Sequence, residues 1–463
     1  MFDVTVGGLG LATAQGSAGD LSRDTAPLGP RPIPWPVRAA AVSRVHRPAH
    51  DLSPELVGHA RVAALVRRAI AECGAGRDTP LVLGSCNGGA ASWQAADWRA
   101  SFELDLDGTP WQGTHPPVAS AACASGLHAL YLARALVAGG ARDAVAVAVD
   151  IDTPPSHDNF EALRVLSDEP SPFQPEAGGF VAGEAAVAVR VTRGDGPRLS
   201  VIELGHDLEG DDGLLRALTA LGPIAPELII GQGTGPAAVD RAELAALAAR
   251  IPGAVPLATP VCHFGHALGA SSLLAVALAA AAIRGPIARL LALRDPAALD
   301  GRPLVTGGAR AREIVVGCRA LGGACGACVV GGPRHTGTPR EAAWRASATA
   351  PPLRDPTLRA LAAAAPAARP AVPPGLLLVT LDAPLVPAAG ARIGERLLPS
   401  SVIEMTPGFA PQLIARAWGF AGPAICLVGD SAALVAACRR ACERVFVIAI
   451  RGTEDHRHVE WNA

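Results

Sequence analysis

Short apolar runs alternate along the chain with longer stretches in which apolar positions recur every three to four residues. The short runs predict buried strands, for example at residues 144–149 and 185–191. The periodic stretches predict helices, for example at residues 53–73 and 270–284. Strands that alternate with helices favour an α/β fold, because helices can cover the faces of a mostly parallel sheet.

One stretch, residues 118–150, combines these patterns around a cysteine. An apolar run leads to Cys123, small residues surround it, and a helical pattern then runs to Gly139. This order predicts a thiol on a tight turn at the start of a helix, where the positive end of the helix dipole lowers a thiol pKa. A buried, inert cysteine in a packed α/β unit would give the same pattern, and the stretch alone leaves both interpretations open.

Composition narrows the class of protein. The chain has 463 residues, half of them apolar, and a formal charge of −2 without a basic block, so we expect no nucleic-acid partner. Its ten cysteines are scattered and no secretory signal precedes them, which predicts free thiols in the cytoplasm. The longest apolar stretch, residues 273–283, is too short to span a membrane. The sequence contains no lysine, which excludes Schiff-base chemistry on a lysine side chain.

Six segments of the chain resemble the motifs of one known family and occur in the same order as in that family. They are VTVGGLGLAT at the start, ACASG around Cys123, PFQPEAGGFVAGEAAVAV, GQGTGPAAVDRAEL, CHFGHALGA and ALGGACGACVV. Together they resemble the ordered motifs of β-ketoacyl synthases, the condensing enzymes of fatty-acid and polyketide synthesis. The resemblance covers roughly residues 1–335.

The resemblance implies a thiolase-like α/β fold, with two βαβαβαββ halves stacked in five layers. It implies that Cys123 takes an acyl group from an acyl carrier protein or a coenzyme A thioester, without metal or other cofactor. His266 matches the second catalytic histidine of the family, and the turn with Leu321, Gly322 and Gly323 matches its acyl-gating turn. The backbone N–H groups of Cys123 and of a residue in that turn would form the oxyanion hole.

Three positions depart from the family pattern. Gln232 stands in place of the first catalytic histidine, Val261 in place of a lysine, and Leu321 in place of the gating phenylalanine. A glutamine can donate a hydrogen bond but cannot exchange a proton near pH 7, so acid–base work falls on His266. Two outcomes remain open. In the first, acyl transfer is retained but malonyl decarboxylation is weak or absent. In the second, the Cys-His-amide trio still catalyses condensation, as such a trio does in related condensing enzymes.

Further residues near these motifs have two interpretations each. Thr234 and His263 are candidate substrate contacts, although His263 is more simply a loop histidine bonded to backbone. Glu243 is expected either to bond loop backbone near the site or to cap a helix that Asp240 opens. His128 is expected in the core. The pair Cys325 and Cys328 has CxxC spacing but is expected to pack rather than to bind metal.

The chain beyond residue 335 lies outside the six segments. Residues 336–374 are rich in alanine and proline and predict a linker, and residues 375–463 resemble a degenerate copy of the N-terminal half of a synthase. Counting from Gly422–Pro423 places Ser431 where that copy would have its nucleophile, and no base follows. We expect this segment to be an interaction or scaffold element.

Two main functions remain open at this point. The first is an acyltransferase of the β-ketoacyl synthase type, with Cys123, His266 and Gln232 as its catalytic residues. The second is a non-catalytic partner like a chain-length factor, and a binding module with a preserved pocket is a third. In the first two cases we expect a homodimer or a heterodimer with another synthase-like subunit.

Overall fold

The structure is a computed structural model. It describes residues 4–21, 29–34, 43, 45–50, 52–88, 102–104, 106–174, 178–208, 210–285, 287, 302, 305, 311–332, 353, 355–382, 406–453 and 456–462. The strands are β1 Thr5–Thr13, β2 Arg31–Pro32, β3 Val45–Arg47, β4 Leu81–Gly84, β5 Val118–Ser120, β6 Asp143–Asp150, β7 Ala182–Gly183, β8 Ala185–Thr192, β9 Leu199–His206, β10 Leu228–Ile230, β11 Leu257–Ala258, β12 Glu313–Arg319, β13 Ala324–Gly331, β14 Leu376–Leu381, β15 Ala424–Val428, β16 Val445–Thr453 and β17 His456–Asn462. The helices are α1 Gly58–Cys73, α2 Ser125–Ala138, α3 Pro154–Leu163, α4 Gly213–Ala220, α5 Ala237–Arg250, α6 Val261–Phe264, α7 Ala270–Arg284, α8 Pro356–Ala364, α9 Phe409–Trp418 and α10 Ala432–Ala441.

A nine-stranded sheet forms the larger part of the fold. Its strands lie in the order β1-β8-β6-β4-β5-β15-β14-β16-β17. The strands β6, β4 and β5 are parallel, and β8 closes this group as an antiparallel neighbour of β6. Because β4 and β6 are buried on both faces, their sequences are continuous apolar runs.

A second sheet of five strands packs below the first, in the order β11-β10-β12-β13-β9. Helices α2 and α7 lie between the two sheets, and α7 is buried almost all round, which explains why its sequence has no polar stripe. Helices α1, α8 and α9 cover the outer face of the nine-stranded sheet, and α4 and α5 pack on the five-stranded sheet. The five layers confirm the thiolase-like fold class.

Several predicted elements match the structure, and others differ at their ends. The predicted helix at residues 270–284 has the observed bounds, and the predicted strand at residues 185–191 extends one residue further, to Thr192. Strand β1 runs through Gly8 and Gly10, which let it approach the backbone of α1. Asp240 is not an N-cap, since α5 begins three residues earlier, after Pro236.

The C-terminal strands belong to the nine-stranded sheet and not to a sheet of their own. Strand β15 pairs with β5, and the apolar side chains of β14, β15, β16, α9 and α10 join the two main cores. Each large apolar side chain that is fully buried contributes roughly 1.5–3 kcal/mol to stability. The segment is therefore part of the same folded body as the N-terminal strands.

The segment predicted as a linker is only partly within the described residues, because residues 336–352 and 354 lie outside them. Its described part contains α8, which Asp355 caps by accepting a hydrogen bond from the Leu358 N–H at 2.8 Å. Leu358 and Leu361 are fully buried against the outer face of the large sheet. The alanine-rich composition concealed a helix whose buried residues are only Leu358 and Leu361.

Candidate active site

Cys123 lies on a tight turn between β5 and α2, which we call the nucleophile turn (residues 120–125). Ala122 has a left-handed backbone with φ 48°, and the Ser125 hydroxyl holds the turn by accepting from the Ala121 N–H at 2.9 Å and donating to the Ala122 carbonyl at 2.6 Å. Gly126 follows, where any Cβ would lie 2.9 Å from the Gly269 carbonyl oxygen. Close packing thus requires a glycine at position 126.

The imidazole of His266 meets the thiol. Cys123 Sγ and His266 Nε2 are 3.1 Å apart, and His266 Nδ1 lies 3.4 Å from the Ser271 hydroxyl oxygen. The ring packs at 4.6 Å between centroids against Phe180. The His266 backbone bonds to residues beside β7, since its N–H donates to the Val181 carbonyl at 2.8 Å. The glycine-rich segment before β8 therefore positions this histidine.

Burial sets the protonation of this pair. It raises the pKa of the Cys123 thiol to about 12, although hydrogen bonds from the backbone N–H groups of Leu321 and Cys123 oppose the shift. Burial also lowers the pKa of His266 to about 4. The prediction that the helix dipole lowers the thiol pKa is therefore wrong for the resting site, because desolvation outweighs the dipole. Both groups are neutral at pH 7, and the imidazole can accept the thiol proton.

Gln232 is fixed with its amide in one orientation. Its Oε1 accepts a hydrogen bond from the Arg319 backbone N–H at 2.9 Å. The Cys318 thiol lies between Gln232 and the nucleophile, 3.6 Å from both Gln232 Oε1 and the Cys123 carbonyl oxygen. Gln232 Nε2 is buried and has no hydrogen-bond partner within the described part of the chain. The side chain is therefore a donor whose N–H groups are available to a bound molecule.

Two carboxyl groups hold the loop that carries Gln232. Glu243 accepts hydrogen bonds from the backbone N–H groups of Gln232 at 2.6 Å and Gly233 at 3.0 Å. Asp240 accepts from the Gly235 N–H at 3.0 Å and from the Thr234 hydroxyl at 3.3 Å. Thr234 is buried with its hydroxyl turned to Asp240, so it shapes the loop.

We expect Glu243→Gln to change how stability depends on pH. Burial raises the pKa of Glu243 to about 8, so the folded state holds a proton that the unfolded state releases above about pH 4.3. This group therefore makes the free energy of unfolding fall as pH rises from about 4 to about 8, by at most about 1.4 kcal/mol per pH unit. Denaturant unfolding of both proteins across this range measures the effect. A wild-type-minus-variant difference that stays constant with pH would contradict it.

The turn at residues 320–324, which we call the gating turn, lies on the other side of the thiol. A hydrogen bond from the Leu321 backbone N–H favours the thiolate form of Cys123, and Leu321 is 37% exposed. Gly322 and Gly323 have φ values of 89° and 95°, which a side chain would strain. Asp207 fixes the turn, because its N–H donates to the Gly323 carbonyl at 2.9 Å.

Sequence reasoning missed Asp150, which ties two loops around the site to the end of β6. Its buried carboxylate accepts from the Ser85 hydroxyl at 2.6 Å and from the backbone N–H groups of Cys86 at 2.9 Å, Asn87 at 3.2 Å and Gly269 at 2.7 Å. Gly269 immediately precedes α7, three residues after His266. A charged residue that ends a buried strand was the signal available in the sequence.

The remaining candidates lie on α6, α2 and β13, and a substrate contact by His263 stays a prediction. The His263 carbonyl accepts hydrogen bonds from Arg47 at 3.0 Å and Gln15 at 2.5 Å, which anchors the loop through its backbone. His128 lies in the core, as predicted. Cys325 and Cys328 point into different cores, and the described residues contain no cluster that could hold a metal ion.

Comparison with known families gives one match. Residues 111–195 match the N-terminal domain of β-ketoacyl synthases, a range that runs from before the nucleophile turn to just beyond β8. Solved structures agree over much more of the chain. This protein has a divergent ketosynthase-like fold.

Three solved structures illustrate the extent of the similarity. A β-ketoacyl synthase from Burkholderia phymatum is 19% identical, with a TM-score of 0.58 over 72% of this chain and 100% of that one. The ketosynthase in a complex with its type II acyl-carrier protein, AntDE:AntF, is 18% identical, with a TM-score of 0.60 over 71% of this chain and 99% of that one. The PfaC keto synthase–chain length factor is 14% identical, with a TM-score of 0.70 over 97% of this chain and 74% of that one.

The comparison with curated proteins gives no match. Among the described helices, none combines the length and the apolar character that crossing a bilayer requires.

Proposed function

We propose that this protein is an acyltransferase of the β-ketoacyl synthase type that carries an acyl group as a thioester on Cys123. The observation that carries the proposal is the 3.1 Å contact between Cys123 Sγ and His266 Nε2 at the start of a buried helix. Nucleophilic catalysis needs a thiol and a base within hydrogen-bond reach, with the base oriented by a third group. Ser271 is that third group here.

The contact between Cys123 and His266 supports the following acylation step. His266 Nε2 takes the thiol proton as Cys123 Sγ attacks the carbonyl carbon of an acyl thioester. The backbone N–H groups of Cys123 and Leu321 stabilise the oxyanion. Collapse breaks the bond to the donor sulfur, and His266 returns the proton to the departing thiolate. The products are an acyl-Cys123 thioester and a free donor thiol.

Gln232 takes part as a hydrogen-bond donor. The Arg319 N–H occupies its Oε1, so its Nε2 faces a bound thioester with N–H groups only. Such a group can polarise a carbonyl oxygen but cannot deliver a proton. We therefore propose acyl transfer with weak or absent malonyl decarboxylation.

The substitution Gln232→His places at this position a side chain that can gain and lose a proton near pH 7. We expect the variant to release carbon dioxide from a malonyl thioester at least about tenfold faster than the wild type, since general acid–base groups contribute factors of this size or more. Carbon dioxide release is measured with coupled detection, and Gln232→Asn serves as the control without an imidazole. Rapid release by the wild type would contradict the proposal.

The donor is proposed to be an acyl carrier protein or a coenzyme A thioester. The likeness to a ketosynthase that binds an acyl-carrier protein supports the first. The full chain is incubated with acyl thioesters of both kinds, and its intact mass is measured. An added acyl mass supports the enzyme, and its absence with every donor supports the alternative below.

The alternative is a non-catalytic partner resembling a chain-length factor. The extent of the match to the PfaC keto synthase–chain length factor favours it, because that match covers 97% of this chain. We propose on the same basis that residues 1–335 are the synthase-like unit and residues 375–463 a half-synthase-like unit. In that case Cys123 would remain unmodified by acyl donors although the site is assembled.

A further inference from the structure

Strand β5, which leads directly to Cys123, has both of its edges covered. On one side it pairs in parallel with β4, through Leu83 opposite Val118. On the other side it pairs with β15 in antiparallel register, with Cys426 opposite Ser120 and Val428 opposite Val118. Without β15 this three-residue strand would present an unpaired edge beside the nucleophile, and such edges recruit another strand.

Apart from β1, which lies beyond β8 and has no counterpart beyond β17, the sheet is arranged symmetrically about this pair of strands. Outward from β5 lie β4, β6 and β8, and outward from β15 lie β14, β16 and β17. On both sides the first two pairings are parallel and the last is antiparallel. Helix α2 connects β5 to β6, and α10 connects β15 to β16, and the two helices touch each other. An antiparallel pair at the centre of two equivalent half-sheets is the contact that a two-fold dimer makes.

We propose that residues 376–382, 406–453 and 456–462 take, within the same chain, the place of a second subunit at the β5 edge, so that one chain holds a complete and supported nucleophile turn. The segment fills the edge with its own strand, which leaves no room there for a second copy. The proposal does not depend on acyl transfer, since it concerns only how Cys123 is held.

Contact with the nucleophile turn supports a bracing role. Gly408, immediately before α9, packs so closely that an added Cβ would lie 2.5 Å from the Ser120 carbonyl oxygen and 2.6 Å from Ala121 Cα. Its φ of −62° would accept any residue, so only the lack of space requires glycine. A side chain at this position must push on the backbone two to three residues before the thiol.

The segment also reaches the strand that supports the gating turn. His206 Nε2 lies 2.6 Å from the carbonyl oxygen of Phe420, and its neighbour Asp207 bonds Gly323 through the backbone. Residues 406–428 therefore support the nucleophile turn directly and the gating turn through His206 and Asp207.

The first test follows amide hydrogen exchange in the wild-type full chain. We expect the peptides that contain residues 118–120 and 424–428 to be protected, and their protection to stay the same when the protein is diluted a hundredfold. Protection that falls on dilution would show that another chain covers this edge, and rapid exchange in β15 at every concentration would show that the pairing does not form. Either result would overturn the proposal.

The second test compares two glycines that both lie where the C-terminal segment meets the N-terminal strands and helices. Gly408→Ala should slow alkylation of Cys123 by iodoacetamide at least tenfold, because displacing the turn separates the thiol from His266. Gly139→Ala, whose Cβ would meet only Ala441 Cβ at 3.0 Å in this segment, should leave the rate within twofold. Equal rates in the two variants would overturn the bracing role. Alkylation needs no acyl donor, so its outcome stays separate from the test of acyl transfer.

Discussion

Replacing Cys123 with alanine is expected to abolish the acyl adduct, with a loss of more than about 10⁴-fold in acylation rate. The reason is that the Cys123 thiol contacts the His266 imidazole, whereas the thiols of Cys86 and Cys318 are buried near the site and burial raises their pKa well above the usual range. Intact-mass measurement after incubation with an acyl thioester gives the result. Peptide mapping of the wild type should place the acyl group on residue 123.

Cys318→Ala is the matched control for this change. It removes a thiol 3.6 Å from the Cys123 carbonyl oxygen and leaves the nucleophile and His266 in place. We expect it to acylate at a rate close to that of the wild type. If Cys123→Ala still gained the acyl mass, the nucleophile would have to be a different residue.

Replacing His266 with alanine is expected to slow acylation at neutral pH by about 10²–10⁴-fold and to change its pH dependence. In the wild type, His266 is neutral above its pKa of about 4 and Cys123 keeps its proton below its pKa of about 12. The protonation of the pair therefore does not change from pH 5 to pH 9, and the rate should be flat in this range. Below about pH 4 the imidazole becomes charged and the rate should fall.

The variant has no base and must react through free thiolate. Because pH 5–9 lies below the thiol pKa of about 12, its rate should rise about tenfold for each pH unit in this range. Single-turnover acylation followed by mass gives both profiles. Ser271→Ala, which removes only the hydroxyl 3.4 Å from His266 Nδ1, should keep the flat profile at a reduced rate. A wild-type rate that rises tenfold per pH unit would show that His266 does not take the thiol proton.

The sequence contained the order of the strands and helices and the chemical types of the site residues. Small residues around Cys123 predicted the tight turn and the start of a helix after it, and the structure shows both. These predictions succeeded because backbone sterics act locally, so residue type alone reveals them.

The thiol pKa shows where local reasoning failed. From the sequence, the start of a helix predicted a lowered pKa for Cys123, yet burial between the two sheets raises it. Desolvation depends on every layer that covers a group, and those layers come from distant parts of the chain. The orientation of the Gln232 amide has the same origin, since the Arg319 N–H that fixes it lies 87 residues further along.

The sequence by itself therefore determined the fold class, the nucleophile turn and the identity of the thiol, imidazole and carboxamide. Only the tertiary structure decided that the thiol and imidazole meet as neutral groups, that Asp150 ties the surrounding loops together, and that β15 covers the edge of β5. The physical reason is that turns and helices follow from neighbouring residues, whereas strand pairing and burial join residues up to about three hundred positions apart, such as Ser120 and Cys426.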